Sequence, residues 1–396
     1  MVDFNSVKNH FFLSQPHQPF FVLAFINAFV SMFLFMLMFK GIVSTEITVI
    51  NYHAYSLIFL MFTPAFLAFL FTTFPRFSAT DPIPQEHYLI ILGFFLGGFI
   101  LVNIGAFISS SVASVGMLLT LLGHLSAGHI LLGIYKASNV TDKEDQEWIL
   151  IAMALGLVAH VLFVVSLLFP ILHTLSVQIA IYLYLFLLTF TIAQRMVPFF
   201  SHSPIKKHVE RFKVIVGLLT LHVLLEVFQP HASFLVDFLL AYLIGRELYR
   251  WKLPFPNPNP LVWVLHIALF WIPIAFFLSA MSNILTLAYG MNFLYLDIHT
   301  LLLGFLLTIL IGFGTRVTIG HSGNMMQADR LTTILFYWTQ IVVVMRILTS
   351  IAVANGWNFF VFFDLSITVW FVLFGFWAKR FFPVLIFEKK LDEKEE

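Results

Sequence analysis

Apolar runs of about 20 residues recur along nearly the whole 396-residue chain. A helix of about that length crosses the hydrocarbon core of a bilayer and satisfies every backbone polar group within itself. A hydrophobic content of 60% with only 10% charged residues excludes a soluble globule of this size. The runs fall at 20–39, 52–74, 88–108, 112–134, 148–169, 172–194, 212–229, 231–249, 261–281, 296–315, 331–353 and 359–378. They predict an all-α integral membrane helical bundle of about twelve transmembrane helices. Residues 1–19 then form an N-terminal cytoplasmic segment and 379–396 a charged cytoplasmic tail. Pro170, Pro230, the Asn355–Gly356 pair and the PFPNPNP stretch from Pro254 to Pro260 mark joints between the runs. The apolar segment 282–297 fits either an extended ninth helix or an interfacial one.

The charged residues give an orientation. On a twelve-span reading, one side receives Lys8, Arg76, Lys136, Lys143, the Arg195–Lys213 group, Arg246, Arg250, Lys252, Arg316, Arg330 and the C-terminal tail. Of the 21 basic residues, only Lys40 and Arg346 fall elsewhere. The positive-inside rule therefore predicts cytoplasmic N- and C-termini. No cleavable signal peptide is expected, since the first apolar run starts at Phe20 and is too long for one. The charges lie in loops and form no stripe for nucleic acid; the expected surroundings are the lipid bilayer. The chain has no cysteine, which removes thiolate metal sites, disulfides and covalently attached c-type haem.

Most of the 15 histidines sit inside the apolar runs or at their ends. Imidazole is a poor lipid-facing group, so these positions predict an internal polar site. The second, sixth and tenth spans begin with His53, His173 and His299 and end near Arg76, Arg195 and Arg316. This spacing of four helices hints at a pseudo-threefold arrangement of four-helix units; interfacial placement of histidine and arginine is the plainer reading. His222 and Glu226 share a helical face, so Glu226 is a candidate to orient the imidazole of a metal ligand. A helix–helix hydrogen bond is the plainer alternative. Arg346 and Asp364 flank the Asn355–Gly356 hairpin about equally and are expected to pair. His124 and His160 lie near mid-membrane, and each is expected to bond a neighbouring helix. His10, His17, His87, His202, His208 and His321 are expected to be mostly solvated surface residues.

Four segments carry a more specific signal. NYHAYSLIF (51–59) continues into FLFTTFPRFS (69–78), AQRMVPFFSHS (193–203) ends the sixth span, WVLHIALFWIP (263–273) opens the ninth, and HTLLLGFLLTILIGFGTRVTIGHSG (299–323) covers the tenth. In this order, with QPFFVLAF (18–25) ahead of them, they resemble the NnrS family of polytopic membrane proteins, from about residue 18 to residue 325. The resemblance implies a haem- and copper-containing protein of the bacterial inner membrane, linked to nitric oxide metabolism and tolerance. It carries His53, His160, His266, His299 and His321, with Arg195 and Arg316, as motif residues. One departure stands out. Where the family usually reads histidine-alanine-histidine-glutamate, this chain has His53, Ala54, Tyr55 and Ser56, so Tyr55 could supply a phenol oxygen in place of the second imidazole.

Residue chemistry and resemblance together give a site expectation. His53 and His299 lie at similar depth on different helices and are candidate axial ligands of one b-type haem. His160, His173 and His222 are candidates for copper, which imidazole suits. Tyr55, Glu226 and His266 are expected behind those ligands. Arg195, Arg316 and His321, with His202 beside them, could hold an anion such as a haem propionate, or simply face lipid headgroups. Histidines on the second, sixth, seventh and tenth helices also look like the haem–copper oxidase core, but that is likeness of placement only. The oxidase's adjacent histidines and its histidine–tyrosine spacing are absent, so oxygen reduction with proton pumping is not expected.

Two functions follow. One is a haem protein that binds nitric oxide or another small gas, or turns it over as an oxidoreductase with an electron donor. The other is a transporter or metal-handling protein for copper, haem or a small anion. Helices broken at mid-membrane, near Pro64, Pro273 or Gly312 with Gly314, would favour the transporter.

Overall fold

The computed structural model describes residues 10–203 and 208–391; Lys8, Lys206, Lys207 and the tail beyond Leu391 lie outside them. Among the described residues there is no strand, and twelve long helices carry the fold. They are α1 His17–Phe39, α2 Val49–Phe77, α3 Gln85–Ile108, α4 Ser110–Ala137, α5 Glu144–Ser166, α6 Leu172–Phe200, α7 Val209–Phe228, α8 Phe234–Arg250, α9 Pro260–Tyr289, α10 Leu296–His321, α11 Arg330–Ala354 and α12 Phe359–Phe387. Ten are long and apolar enough to cross a membrane. The two that fall short are α7 and α8. The first carries Glu210, Arg211, Lys213 and Glu226, and the second has only 17 residues, among them Asp237, Arg246, Glu247 and Arg250.

Local chemistry sets the helix ends. Asn259 accepts the Leu261 N–H at 3.0 Å ahead of Pro260, which has no N–H to satisfy in the first turn, and Gly290 closes α9 at φ 67°. The ambiguous segment after residue 281 is therefore the end of α9. Asp329 caps α11 by accepting the Thr332 N–H at 2.8 Å. Neither proline nor glycine interrupts the helices at mid-length: α2, α9 and α10 run unbroken through Pro64, Pro273 and the Gly312–Gly314 pair. α12 continues past residue 378 to Phe387.

By packing, the chain divides into two units. The first comprises Met1–Ala180, Val317–Met326 and Phe374–Glu396; the second comprises Ile181–Arg316 and Gln327–Leu373. Within the first, glycines bring α3 and α4 together. A Cβ on Gly105 would collide with the Ala113 nitrogen, and one on Gly116 would lie 2.6 Å from that of Val102.

α2, α6 and α10 share an irregularity that periodicity did not reveal. Each contains a π-helical stretch: Ser56–Phe62, Ile179–Phe186 and Thr300–Leu307. Each stretch starts 22 residues before a buried serine (Ser56 to Ser78, Ile179 to Ser201, Thr300 to Ser322). Each serine is followed by a residue of positive φ: Ala79, His202 or Gly323. At the end of two stretches a threonine hydroxyl bonds the carbonyl five residues back, Thr63 to Ile58 at 2.9 Å and Thr308 to Leu303 at 3.1 Å. The same three helices are the most buried of the ten spans, at 89%, 83% and 72%. Stretches of π-helix mark functional positions more often than chance, and these follow His53, His173 and His299 in the chain. The four-helix period is thus written in the backbone of α2, α6 and α10.

Candidate functional site

In the first unit, α2, α4 and α5 place Tyr55, His124 and His160 together, all fully buried. The Tyr55 hydroxyl lies 2.9 Å from His160 Nε2 and 3.2 Å from the Met117 carbonyl oxygen. His160 Nδ1 faces His124 Nδ1 at 3.4 Å, and Phe59 stacks on the His160 ring at 3.9 Å. The expectation that His124 and His160 bond across helices holds; their partners are each other and a phenol. His173 packs edge-on against Phe163, and its buried Nε2 has no hydrogen-bond partner among the described residues. His53 is half-buried and stacks on Phe35 at 4.1 Å.

His321 also belongs to the first unit. Its ring lies 4.8 Å from that of His17, and its Nδ1 bonds Gln15 Oε1 at 2.8 Å. The expectation of a solvated His17 is corrected: the residue is only 2% exposed. An N-terminal position had suggested water, but the helix starts at His17 and turns that ring against α10. His10, His87, His202 and His208 are exposed, as expected.

The second unit holds a more acidic site. His222 Nδ1 bonds Asp237 Oδ1 at 2.6 Å, with both side chains fully buried. The Ser233 hydroxyl lies between Asp237 Oδ2 at 2.7 Å and Glu226 Oε1 at 2.6 Å. Ser279 donates to Asp237 Oδ2 at 2.8 Å, and the Asn283 amide donates to Glu226 at 3.2 Å. The Tyr182 ring packs on His222 at 4.2 Å, and its hydroxyl donates to Asp297 at 3.1 Å. Glu226 is therefore near His222, as its helical spacing implied, but the carboxylate that orients the imidazole is Asp237. A contact between α7 and α8 overrides the local spacing. This leaves His222 Nε2 as its unbonded nitrogen.

Arg346 also departs from expectation. Instead of Asp364 it reaches Ser350 Oγ at 2.6 Å, the Leu294 carbonyl at 2.8 Å and His299 Nδ1 at 3.0 Å. The loop before α10 carries Leu294 to it. His299 Nδ1 is also 2.9 Å from the Tyr295 carbonyl. It can donate to that oxygen or accept from the guanidinium, but not both at once. His266 bonds Ser201 Oγ at 2.7 Å. Arg316 lies over the Phe200 ring at 3.9 Å and donates to the Leu261 carbonyl at 3.3 Å, while Arg195 and His202 are exposed. His321, of the same expected set, pairs with His17 within the first unit.

Among the described residues no group of three or more His, Asp or Glu side chains is disposed to hold a metal ion. Sequence reasoning missed Asp297, Tyr182 and His17 as members of polar clusters. Asp297 was visible as a carboxylate at the start of the tenth apolar run. Tyr182 carried no signal in an aromatic-rich helix.

Comparison with family models gives a match over residues 11–389, described as NnrS protein. The chain belongs to the NnrS family. The match takes in all twelve helices and all the histidines described above except His10. It makes the chain a multi-pass membrane protein related to the nitric oxide response. Comparison with curated proteins gives no match.

Proposed function

We propose that this NnrS-family protein binds nitric oxide at a b-type haem in the bacterial inner membrane, with both termini in the cytoplasm. The observation that carries the reading is the family match over residues 11–389. The residues at His299 are compatible with such a group. When Nδ1–H donates to the Tyr295 carbonyl, Nε2 is left as a lone pair, the state an axial histidine needs. Bound haem would supply an iron that takes nitric oxide as a ligand. The protein's part is to fix the imidazole tautomer.

A cationic partner for a haem propionate at this site is Arg346. Arg316 and His299 are 17 residues apart on α10, about 25 Å at helical rise and more than a porphyrin spans. Arg346 is 3.0 Å from His299 and would meet a propionate there. His53 is an axial candidate in the first unit and is judged separately. Turnover of nitric oxide would further need an electron donor.

The test is the absorption spectrum of detergent-purified protein, oxidised, reduced and nitric-oxide-treated, with iron quantified on the same samples. Wild type, His299→Ala and His53→Ala are run side by side. A Soret band that shifts with nitric oxide and is lost or altered in His299→Ala supports the site. Wild type without haem after haem-replete expression overturns the proposal.

A further inference from the structure

Ser233 Oγ stands 2.6 Å from Glu226 Oε1 and 2.7 Å from Asp237 Oδ2. Both separations are those of O–H···O hydrogen bonds, which need a hydrogen between the oxygens. A serine hydroxyl carries one hydrogen, and an ionised carboxylate carries none. The bridge therefore needs one hydrogen more than Ser233 and two carboxylates supply. A shared metal ion does not fit the spacing. Oxygens about 2.05 Å from the centre of an octahedron, as around Mg2+, stand about 2.9 Å apart, and larger ions spread them further. What the bridge lacks is a proton.

Asn283 does not remove the shortfall. His231 Nδ1 lies 2.9 Å from Asn283 Oδ1, which turns Nδ2 towards Ser233 Oγ at 3.0 Å and Glu226 Oε1 at 3.2 Å. The amide hydrogens lie outside the two short oxygen–oxygen contacts. The opposite amide orientation would bring a third acceptor to the bridge and deepen the deficit.

The donors show which carboxyl carries the proton. Asp237 is fully buried and accepts from His222 Nδ1 at 2.6 Å, from Ser279 Oγ at 2.8 Å and from Ser233, a set that suits an ionised carboxylate. Glu226 is half-buried, with the longer Asn283 contact and no Lys or Arg ion pair among the described residues. The titratable groups about it are Asp237, Asp297, His222 and Tyr182, with His231 reached through Asn283; Arg346 interacts with Asp297. Two ionised carboxylates across one hydroxyl would repel each other.

We propose that Glu226 is a proton-binding site of the second unit, uncharged at neutral pH, donating its O–H to Ser233 Oγ while Ser233 donates to Asp237 Oδ2. Release of H+ to solvent leaves the electron pair on Glu226 and one hydrogen for two contacts, so one contact opens. Proton occupancy is thereby coupled to how the end of α7 meets α8 and α9. The site uses neither His299 nor a metal and stands whether or not haem is bound.

The test is infrared spectroscopy of the full-length, detergent-purified protein at about pH 7, where an ordinary glutamate, with a pKa of about 4.3, is ionised. The difference between wild type and Glu226→Gln isolates this side chain and cancels other carboxyls. It should contain the C=O stretch of a protonated carboxyl, moving to lower frequency in D2O. A difference made of ionised-carboxylate bands overturns the proposal. Glutamine keeps the shape and places an N–H donor where the O–H was, so the variant should fold as wild type does. Unfolding of wild type releases the proton, so its stability should fall with rising pH by one proton more than the variant's; equal slopes overturn the proposal. Ser233→Ala should shift the acid band by removing its acceptor, and an unshifted band overturns the bridge. Should neither variant fold, wild type decides alone: a protonated-carboxyl band at about pH 7 supports the site and its absence overturns it.

Discussion

In the first unit the buried imidazoles of His124 and His160 meet each other and a phenol. In the second, His222 meets Asp237, which Ser233 and Ser279 also contact, with Glu226 bridged to it through Ser233. Groups that are neutral need only a donor or an acceptor apiece when they leave water. A carboxylate in the same surroundings needs several donors, and each of those is then committed to it. The first arrangement joins neutral rings through single hydrogen bonds. The second commits its polar atoms to one network, whose removal in part strands the rest.

The largest effect expected from this difference is at Asp237. Asp237→Ala deprives His222, Ser233 and Ser279 of a shared acceptor inside a buried layer. It should destabilise the protein by about 3–5 kcal/mol, measured as a shift in unfolding in mixed micelles with a rising fraction of denaturing detergent. Asp237→Asn, which keeps an acceptor oxygen, should recover part of the loss. A fully stable Asp237→Ala would mean that the second unit's cluster is as forgiving as the first unit's pair.

Much of this architecture was legible in the sequence, and the reason is the bilayer. A span must be apolar over about 20 residues, so helix existence and approximate ends follow from hydropathy. Ten spans satisfy that rule; α7 and α8 were recognisable but weak, because the charges that make the second unit acidic dilute their apolar runs. The histidines of α2, α6 and α10 could be aligned by spacing, whereas the π-helical register beneath them depends on backbone hydrogen bonds. Partners across helices were hidden for the same kind of reason. Glu226 is four residues from His222 and Asp237 is fifteen away, and only packing decides which carboxylate reaches the ring. Arg346 was paired with Asp364 by symmetry about a hairpin, while a loop carbonyl and His299 lie closer.

A middle effect sharpens the comparison with a single donor. Ser279 gives one hydrogen bond of 2.8 Å to Asp237 and fills little volume. Ser279→Ala should cost about 1.5–3 kcal/mol, the range for hydrogen bonds to charged groups. Because Ser279 and Asp237 share one network, the double variant should lose less than the two single losses combined. Additive losses would show that the serine acts outside the network and would dissolve the contrast with the first unit.

The smallest effect belongs to Tyr55. Removing its hydroxyl deletes contacts at 2.9 and 3.2 Å but leaves the ring packed against Phe59 and Phe163. Tyr55→Phe should therefore cost about 0.5–1.5 kcal/mol, as for a hydrogen bond between neutral groups. The variant should unfold close to wild type in the same detergent titration. A stability loss larger than that of Ser279→Ala would show that the phenol is a structural strut of the first unit. A loss within that range assigns the hydroxyl no more than two neutral hydrogen bonds, and leaves the contrast with the charged network of the second unit intact.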